Sequence, residues 1–218
     1  MHAVNSMNKK LKKILPAAAV AGILAIGGTS AYLTDKDSAV NEFTVGKVTI
    51  DLEEPSWKPE EQTKIVPLDE IPKDPQIVNT GSNDAYVYLE VRVPVEDLVT
   101  AAEDGTRNPL ASTQLFTYQI NDQWKLIHSE SEEYANTYVY AYQKILQPGE
   151  TTQTLFDQVV FANIIEGQID NTILEMPVHA YAIQSDHTSE KNTSMEDQTR
   201  EAYRKYINQN QLAVPINE

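Results

Sequence analysis

Between Ile77 and Val93 a dense turn signal, Asn79-Thr80-Gly81-Ser82-Asn83-Asp84, separates a short apolar pair from the run AYVYLEVRV, in which side chains alternate in character. Alternation with period two, carried by β-branched and aromatic residues, belongs to an extended strand with one face in a core. The same patterning predicts strands over Phe43 to Leu52, Thr137 to Leu146, Thr154 to Phe161 and Ile173 to Gln184. A hairpin is expected from Leu115 to Ile120 and Trp124 to His128, parted by Asn121-Asp122-Gln123. Pro94 is expected to end the strand that opens at Ala85, and Val95 to Ala102 reads as a short helix followed by a loop holding Gly105, Asn108 and Pro109. Glu53 to Pro75 carries five prolines among charges, so it reads as a loop with at most an edge strand around Ile65 and Val66. About eight short strands with turn signals between them define an all-β class, an antiparallel β-sandwich with short helical insertions.

The two ends are of another kind. Lys9, Lys10, Lys12 and Lys13 precede an apolar run from Ile14 to Ile26, and Gly27, Gly28, Thr29, Ser30 and Ala31 follow. A basic start, an apolar middle and small residues at the end make a secretory signal peptide over residues 1–31, with cleavage between Ala31 and Tyr32. The apolar run falls short of the roughly 20 residues that span a bilayer, and Pro16 interrupts it. The sandwich is expected over residues 32–185. In 186–218 a polar linker leads to Thr193-Ser194-Met195-Glu196, a capping box. Behind it Thr199, Ala202, Tyr203, Tyr206 and Ile207 share one face of a C-terminal helix of about three turns, set to pack on the sandwich or cap an edge.

Composition closes several function classes. The 218-residue chain has a formal net charge of −15, and the signal segment takes away four lysines and no acid. So acidic a surface repels nucleic acid and anionic lipid. With no cysteine, a disulfide framework, a thiolate zinc site and a cysteine nucleophile are all ruled out. The last residues, QLAVPINE, offer no apolar anchor, so no stable membrane insertion is expected after cleavage.

The segments AYLTDKDS (Ala31 to Ser38), NEFTVGKVTIDL (Asn41 to Leu52), EPSW (Glu54 to Trp57), KDPQIVNTGSNDAYV (Lys73 to Val87), LQPGETTQTLFDQVVF (Leu146 to Phe161) and VHAYAIQ (Val178 to Gln184) occur in order along the chain. In these segments the chain resembles the TasA and camelysin family of exported Gram-positive proteins. The resemblance implies a jelly-roll sandwich, export through a dedicated signal peptidase, and location in the extracellular matrix or at the cell surface. For the TasA branch it implies assembly into biofilm-matrix fibres, with itself or with other matrix proteins, through an N-terminal strand that completes the sheet of the next subunit. For the camelysin branch it implies a cell-surface metallopeptidase. Two departures stand out: Pro67-Leu68 occupies the place of a Pro-Gly turn, and the tail after Ser185 is longer than the family's.

Peptidase chemistry finds little in the residues. A zinc peptidase commonly places two histidines one helical turn apart around a glutamate, as H-E-x-x-H. Outside the export segment this chain has His128, His179 and His187, each isolated. His179 reads as a packed or edge histidine on a strand, the other two as solvated, and a zinc site built from all three is the alternative. Asp35 and Asp37, with Asn41 and Glu42, are oxygen donors without the spacing of an EF-hand. Their plainer role is to keep the N-terminal segment soluble, with calcium binding as the alternative. Glu130, Glu132 and Glu133 read as a surface loop. Gly81-Ser82 lacks the G-x-S-x-G nucleophile pattern. Tyr138, Tyr140 and Tyr142 form a stripe that fits a covered sandwich face better than a sugar site. No catalytic residue, cofactor or metal ligand is therefore assigned.

The N-terminal stretch is where chemistry and export meet. Tyr32 and Leu33, then Phe43 and Val45, place apolar side chains on an extended segment around a polar linker, and cleavage after Ala31 frees that segment. An unpaired strand templates pairing with another chain. The expected function is that of a secreted structural protein assembling by donation of this strand. Camelysin-type peptidase activity and a monomeric matrix-binding module are the alternatives.

Overall fold

The computed structural model describes residues 47–58, 64–169 and 172–211. These residues belong to one compact unit that starts at Gly46. Ten strands and one helix are present among them: β1 (Ile50–Glu53), β2 (Glu70–Pro72), β3 (Gln76–Asn79), β4 (Ala85–Leu98), β5 (Ala111–Gln114), β6 (Phe116–Thr117), β7 (Trp124–Ser131), β8 (Ala135–Tyr142), β9 (Gln158–Phe161), β10 (Val178–Gln184) and α1 (Met195–Gln211). All strand pairs are antiparallel. The largest sheet runs β10-β4-β8-β7 with β5 on the far end of β4. A second is β2-β9-β6, and β1-β3 forms a third. The expected all-β sandwich with a C-terminal helix is what folds.

The core follows from the alternation. Val87, Leu89, Val91 and Val93 of β4 point inward with Tyr140 and Tyr142 of β8, against Ile71, Ile77, Phe116, Val159 and Phe161 of the smaller sheets. The tyrosine stripe lies in this core, where Tyr118 meets Phe156 at 4.4 Å between ring centroids. The opposite face of β4 is buried as well at Tyr86 and Tyr88, because α1 lies over it. Ala202 and Thr199 of α1 are fully buried, and Tyr203 packs on Tyr88 at 5.3 Å. The Tyr86 hydroxyl donates to the Gln198 side chain and that of Tyr88 to the Thr199 carbonyl, each at 2.8 Å. Beyond α1 this face opens at Glu90 and Arg92.

Several expectations are corrected. Pro94 does not end its strand, because the ladder changes partner there: β8 pairing finishes at Pro94–Ala135 and β5 pairing starts at Val95–Gln114. A proline's missing donor is tolerated at such a handover, and its carbonyl accepts from Leu115 N–H at 2.9 Å. The expected helix over Val95 to Ala102 is therefore strand to Leu98, followed by bridges at Thr100 and Ala101. Pairing with β5, in a stretch read as loop, overrides local helix preference. The hairpin around Asn121 does not form either. The Asn121 side chain donates to both the carbonyl and the hydroxyl of Thr154, so the chain crosses between sheets: β6 pairs with β9, and β7 pairs with β8.

Other differences concern boundaries. β9 begins only at Gln158, because Leu155 and Phe156 are both fully buried, which a regular two-faced strand does not allow here. β10 begins at Val178, and Ile173 is 88% exposed. β8 spans Ala135 to Tyr142, ending before Leu146. Ile65 and Val66 precede a turn, and the edge strand is β2 instead. In that turn Asp69 N–H donates to the Val66 carbonyl, and Leu68 takes a left-handed φ of 71°, which a glycine would adopt without strain. The helix cap is Ser194 rather than Thr193: Asp197 N–H donates to Ser194 Oγ at 3.1 Å, and Ser194 Oγ lies 2.7 Å from the Asp197 carboxylate. At 17 residues α1 is longer than three turns.

Candidate functional site

Which strand edges stay open decides where another chain can add. β2 is three residues long and ends in Pro72, β6 has two residues, and β5 has four. β3 is covered by the chain around Thr151, with Thr152 N–H donating to the Ile77 carbonyl and Gly149 N–H to that of Asn79. β7 is broken by a bulge between Leu126 and His128. There Arg200 of α1 donates from Nη1 to the Ile127 carbonyl at 2.7 Å and from Nη2 to the Leu126 carbonyl at 3.2 Å, braced by Glu196 at 2.9 Å. A bulge with a guanidinium on its carbonyls is a poor template for strand addition.

β10 differs from all of these. It runs seven residues in unbroken register with β4, and among the described residues no strand pairs with its other side. A groove of about 470 Å³ lies along it, walled by Val178, His179, Ala180 and Tyr181 of β10, Ile50 and Leu52 of β1, and Glu90 of β4. Val178, Ala180 and Ile50 are only half-buried and Leu52 is 38% exposed, so apolar surface lines an open edge.

One end of the groove is polar. His179 and Glu90 are cross-strand partners, with Nδ1 3.4 Å from the carboxylate, and the imidazole side chain is 58% exposed. Burial, and then the negative charge of Glu90, pushes the Tyr181 phenol upward. Tyr203 and Tyr206 shift the same way for the same two reasons.

The chain enters β1 through a fixed point. Lys47 N–H donates to Ser82 Oγ at 3.0 Å, Ser82 N–H to the Lys47 carbonyl at 2.9 Å, and Thr80 N–H to the Thr49 carbonyl at 3.0 Å. Gly81 sits between them. A Cβ there would stand 2.4 Å from the Lys47 oxygen and 2.8 Å from the Thr49 nitrogen, so this glycine serves close approach of two backbones. The turn is held from beneath by Asn79, fully buried, whose amide donates to the Asn83 and Leu146 carbonyls and whose Oδ1 accepts from Gly81 N–H.

Ala31, Tyr32, Leu33, Phe43 and Val45, and the oxygen donors Asp35, Asp37, Asn41 and Glu42, lie outside the described residues. The three histidines are not brought together. His128 and His179 share one row across the sheet with Glu90 and Val139 between them, at opposite edges. Three strand spacings of about 4.8 Å put roughly 14 Å between their backbones. His187 is exposed in the turn after β10 with a φ of 59°. Among the described residues no three His, Asp or Glu side chains are close enough to hold a metal ion. Glu132 pairs with Arg92 at 2.8 Å, and the Tyr134 hydroxyl donates to Glu133. The groove walls Ile50, Leu52, Val178 and Ala180 were not visible as a site in the sequence, because which edge stays open depends on sheet order.

Fold and site together define an antiparallel all-β sandwich in which, among the described residues, one long strand edge lies open beside an apolar groove. The profile of the camelysin metallo-endopeptidase family matches residues 6–138, more than half of the chain, and the protein belongs to that family. No curated protein and no solved structure matches it. Among the described residues no helix is long and apolar enough to cross a membrane.

Proposed function

We propose that this protein is a secreted structural component of an extracellular matrix, in which the β10 edge of one copy accepts the N-terminal segment of the next. The observation that carries the reading is the β10 groove, seven residues of edge that no described strand pairs, with Ile50, Leu52, Val178 and Ala180 as apolar walls. Added strands gain backbone hydrogen bonds along such an edge and side-chain pockets beside it. The occupant is the segment from Tyr32 to Phe43 of a second copy, which signal cleavage between Ala31 and Tyr32 frees. Matrix proteins with a similar extended segment would compete for the same edge.

The test is electron microscopy and sedimentation of the protein beginning at Tyr32. Filaments are expected, and deletion of Tyr32 to Asn41 is expected to leave a folded monomer. Leu52→Glu, which charges the groove wall at an exposed position, is expected to block acceptance while leaving the fold intact. Filaments of unchanged yield after the deletion would sink the donor role.

The family's description favours a second reading, a cell-surface metallo-endopeptidase. It predicts stoichiometric zinc in the purified protein and chelator-sensitive proteolysis, although His128, His179 and His187 are not brought together among the described residues. Zinc content and casein cleavage, measured on the same preparation, separate the two readings.

A further inference from the structure

At the margin of the face that α1 covers, a carboxylate is left among aromatic rings. Glu90 of β4 stands between His179 of β10 and Val139 of β8 in one row of the sheet, and His128 of β7 ends that row. Tyr203 and Tyr206 lie three residues apart on α1, and therefore on one side of the helix. Tyr206 meets Tyr181 of β10 at 5.3 Å between ring centroids, and Tyr203 meets His128 at 6.5 Å, so aromatic pairs stand on both flanks of Glu90. Burial first, then the Glu90 charge, pushes the phenols of Tyr181, Tyr203 and Tyr206 upward, which shows that the carboxylate's field reaches all three.

Glu90 has no fixed cation. Its side chain is 25% exposed, and among the described residues its ion pair is with the His179 imidazole at 3.4 Å, a partner charged only when protonated. Arg92, two residues along β4, pairs with Glu132, while Lys205 and Arg200 of α1 pair with Glu201 and Glu196. A carboxylate drawn partly out of water costs free energy unless a cation or donors replace that water. Aromatic faces attract cations through their quadrupole. Glu90, His179 and Tyr181 also line the groove of about 470 Å³ beside β10, which gives a ligand its way in from solvent. A hard metal ion fits poorly, since it asks for several oxygen ligands and no three His, Asp or Glu side chains converge among the described residues.

We propose that Glu90, Tyr181, Tyr203 and Tyr206 form a site for an organic ammonium group, carried by a free alkylamine or by the side chain of a lysine in a bound peptide. The carboxylate supplies the charge, and the rings supply faces against which alkyl groups on the nitrogen lie. A formal net charge of −15 raises the local concentration of such cations. The site stands whether or not a strand adds at β10.

The test titrates the protein beginning at Tyr32 with tetramethylammonium, with cadaverine and with the blocked peptide acetyl-Ala-Ala-Lys-Ala-Ala-amide at constant ionic strength, following backbone amide resonances. Saturable shifts are expected around Glu90, Tyr181 and Tyr206, with none from magnesium. Glu90→Gln is expected to weaken binding about tenfold or more. Tyr206→Leu should weaken it about three- to tenfold and Tyr206→Phe hardly at all, because the ring rather than the hydroxyl meets the cation. If Tyr206→Leu loosens α1, seen as a fallen urea midpoint, Glu90→Gln decides alone. Cadaverine binding as tightly as the peptide identifies a free amine as the source, whereas tighter peptide binding that is lost on acetylating its lysine identifies a side chain. Absence of saturable shifts with all three probes, magnesium shifts equal to theirs, peptide binding that survives acetylation, or parent-like affinity in Glu90→Gln overturns the ammonium site and leaves strand addition standing.

Discussion

Replacing Asn79 with alanine tests how the turn bonded to Lys47 and Thr49 is held. The side chain is fully buried and makes three hydrogen bonds, at 2.9 Å to the Asn83 carbonyl, 2.9 Å to the Leu146 carbonyl and 3.0 Å from Gly81 N–H. Each bond contributes about 1 kcal/mol net, and a buried group left without a partner costs about 1–3 kcal/mol. Leu146 keeps a second donor, Ala85 N–H at 3.0 Å, so its carbonyl is not orphaned. The Asn83 carbonyl and Gly81 N–H lose a partner and sit where water can reach part of the turn. The sum is a loss of about 2–4 kcal/mol. Urea denaturation followed by tryptophan fluorescence reads it directly. With a slope near 2 kcal/mol per molar urea, the midpoint should fall by about 1–2 M at unchanged slope. Asn79→Asp sharpens the test. Its carboxylate can still accept from Gly81 but faces two carbonyls, which favours the protonated form and raises the folded-state pKa. Its stability should therefore improve on acidification and be lost as pH rises. A loss below about 0.5 kcal/mol for alanine, or an aspartate variant with no pH response, would refute the account of the turn.

Three further outcomes are expected. Burial first, then neighbouring phenols, pushes Tyr88 and Tyr118 well above ordinary tyrosine. A raised folded-state pKa gives stability that is complete below the unfolded value near 10 and declines above it, so urea midpoints should fall from about pH 10 upward, with tyrosinate absorbance rising in step with unfolding. Arg200→Gln should cost about 1 kcal/mol in urea and speed amide exchange around Leu126 to His128, with lateral association detected by light scattering; unchanged exchange would count against the brace. Tyr88→Phe removes the hydroxyl that reaches the Thr199 carbonyl and should lower stability by about 1 kcal/mol, with faster proteolysis near Thr199 as its marker.

The alternation at Ala85 to Val93 and the i, i+3, i+4 spacing behind Ser194 were readable because each reports a local period. Pairing partners were not. Val95 to Leu98 has helical spacing in isolation and becomes strand because Ala111 to Gln114 lies beside it, a fact of topology rather than of either segment. Asn121 reads as a hairpin turn until its amide is found on Thr154. The site divides in the same way. The segment proposed as donor was nameable from sequence because a signal-peptide pattern ends just before it. The groove beside β10 was not, since Ile50 and Val178 lie far apart in the chain. Gly81 was legible as a turn residue, but its physical role is to leave room for a backbone from outside the turn, since a Cβ there would stand 2.4 Å from the Lys47 carbonyl oxygen.

The bulge of β7 under Arg200 bears on how many neighbours a copy could take in the proposed assembly. With that edge interrupted and β10 open among the described residues, a copy that accepted one strand and gave one strand, as proposed, would make two links through its strands. Contacts of this heterologous kind extend a row instead of closing a pair, unless rotation brings the row into a ring. Thread thickness would then be set by one arginine on a helix, and removing it would turn single threads into bundles.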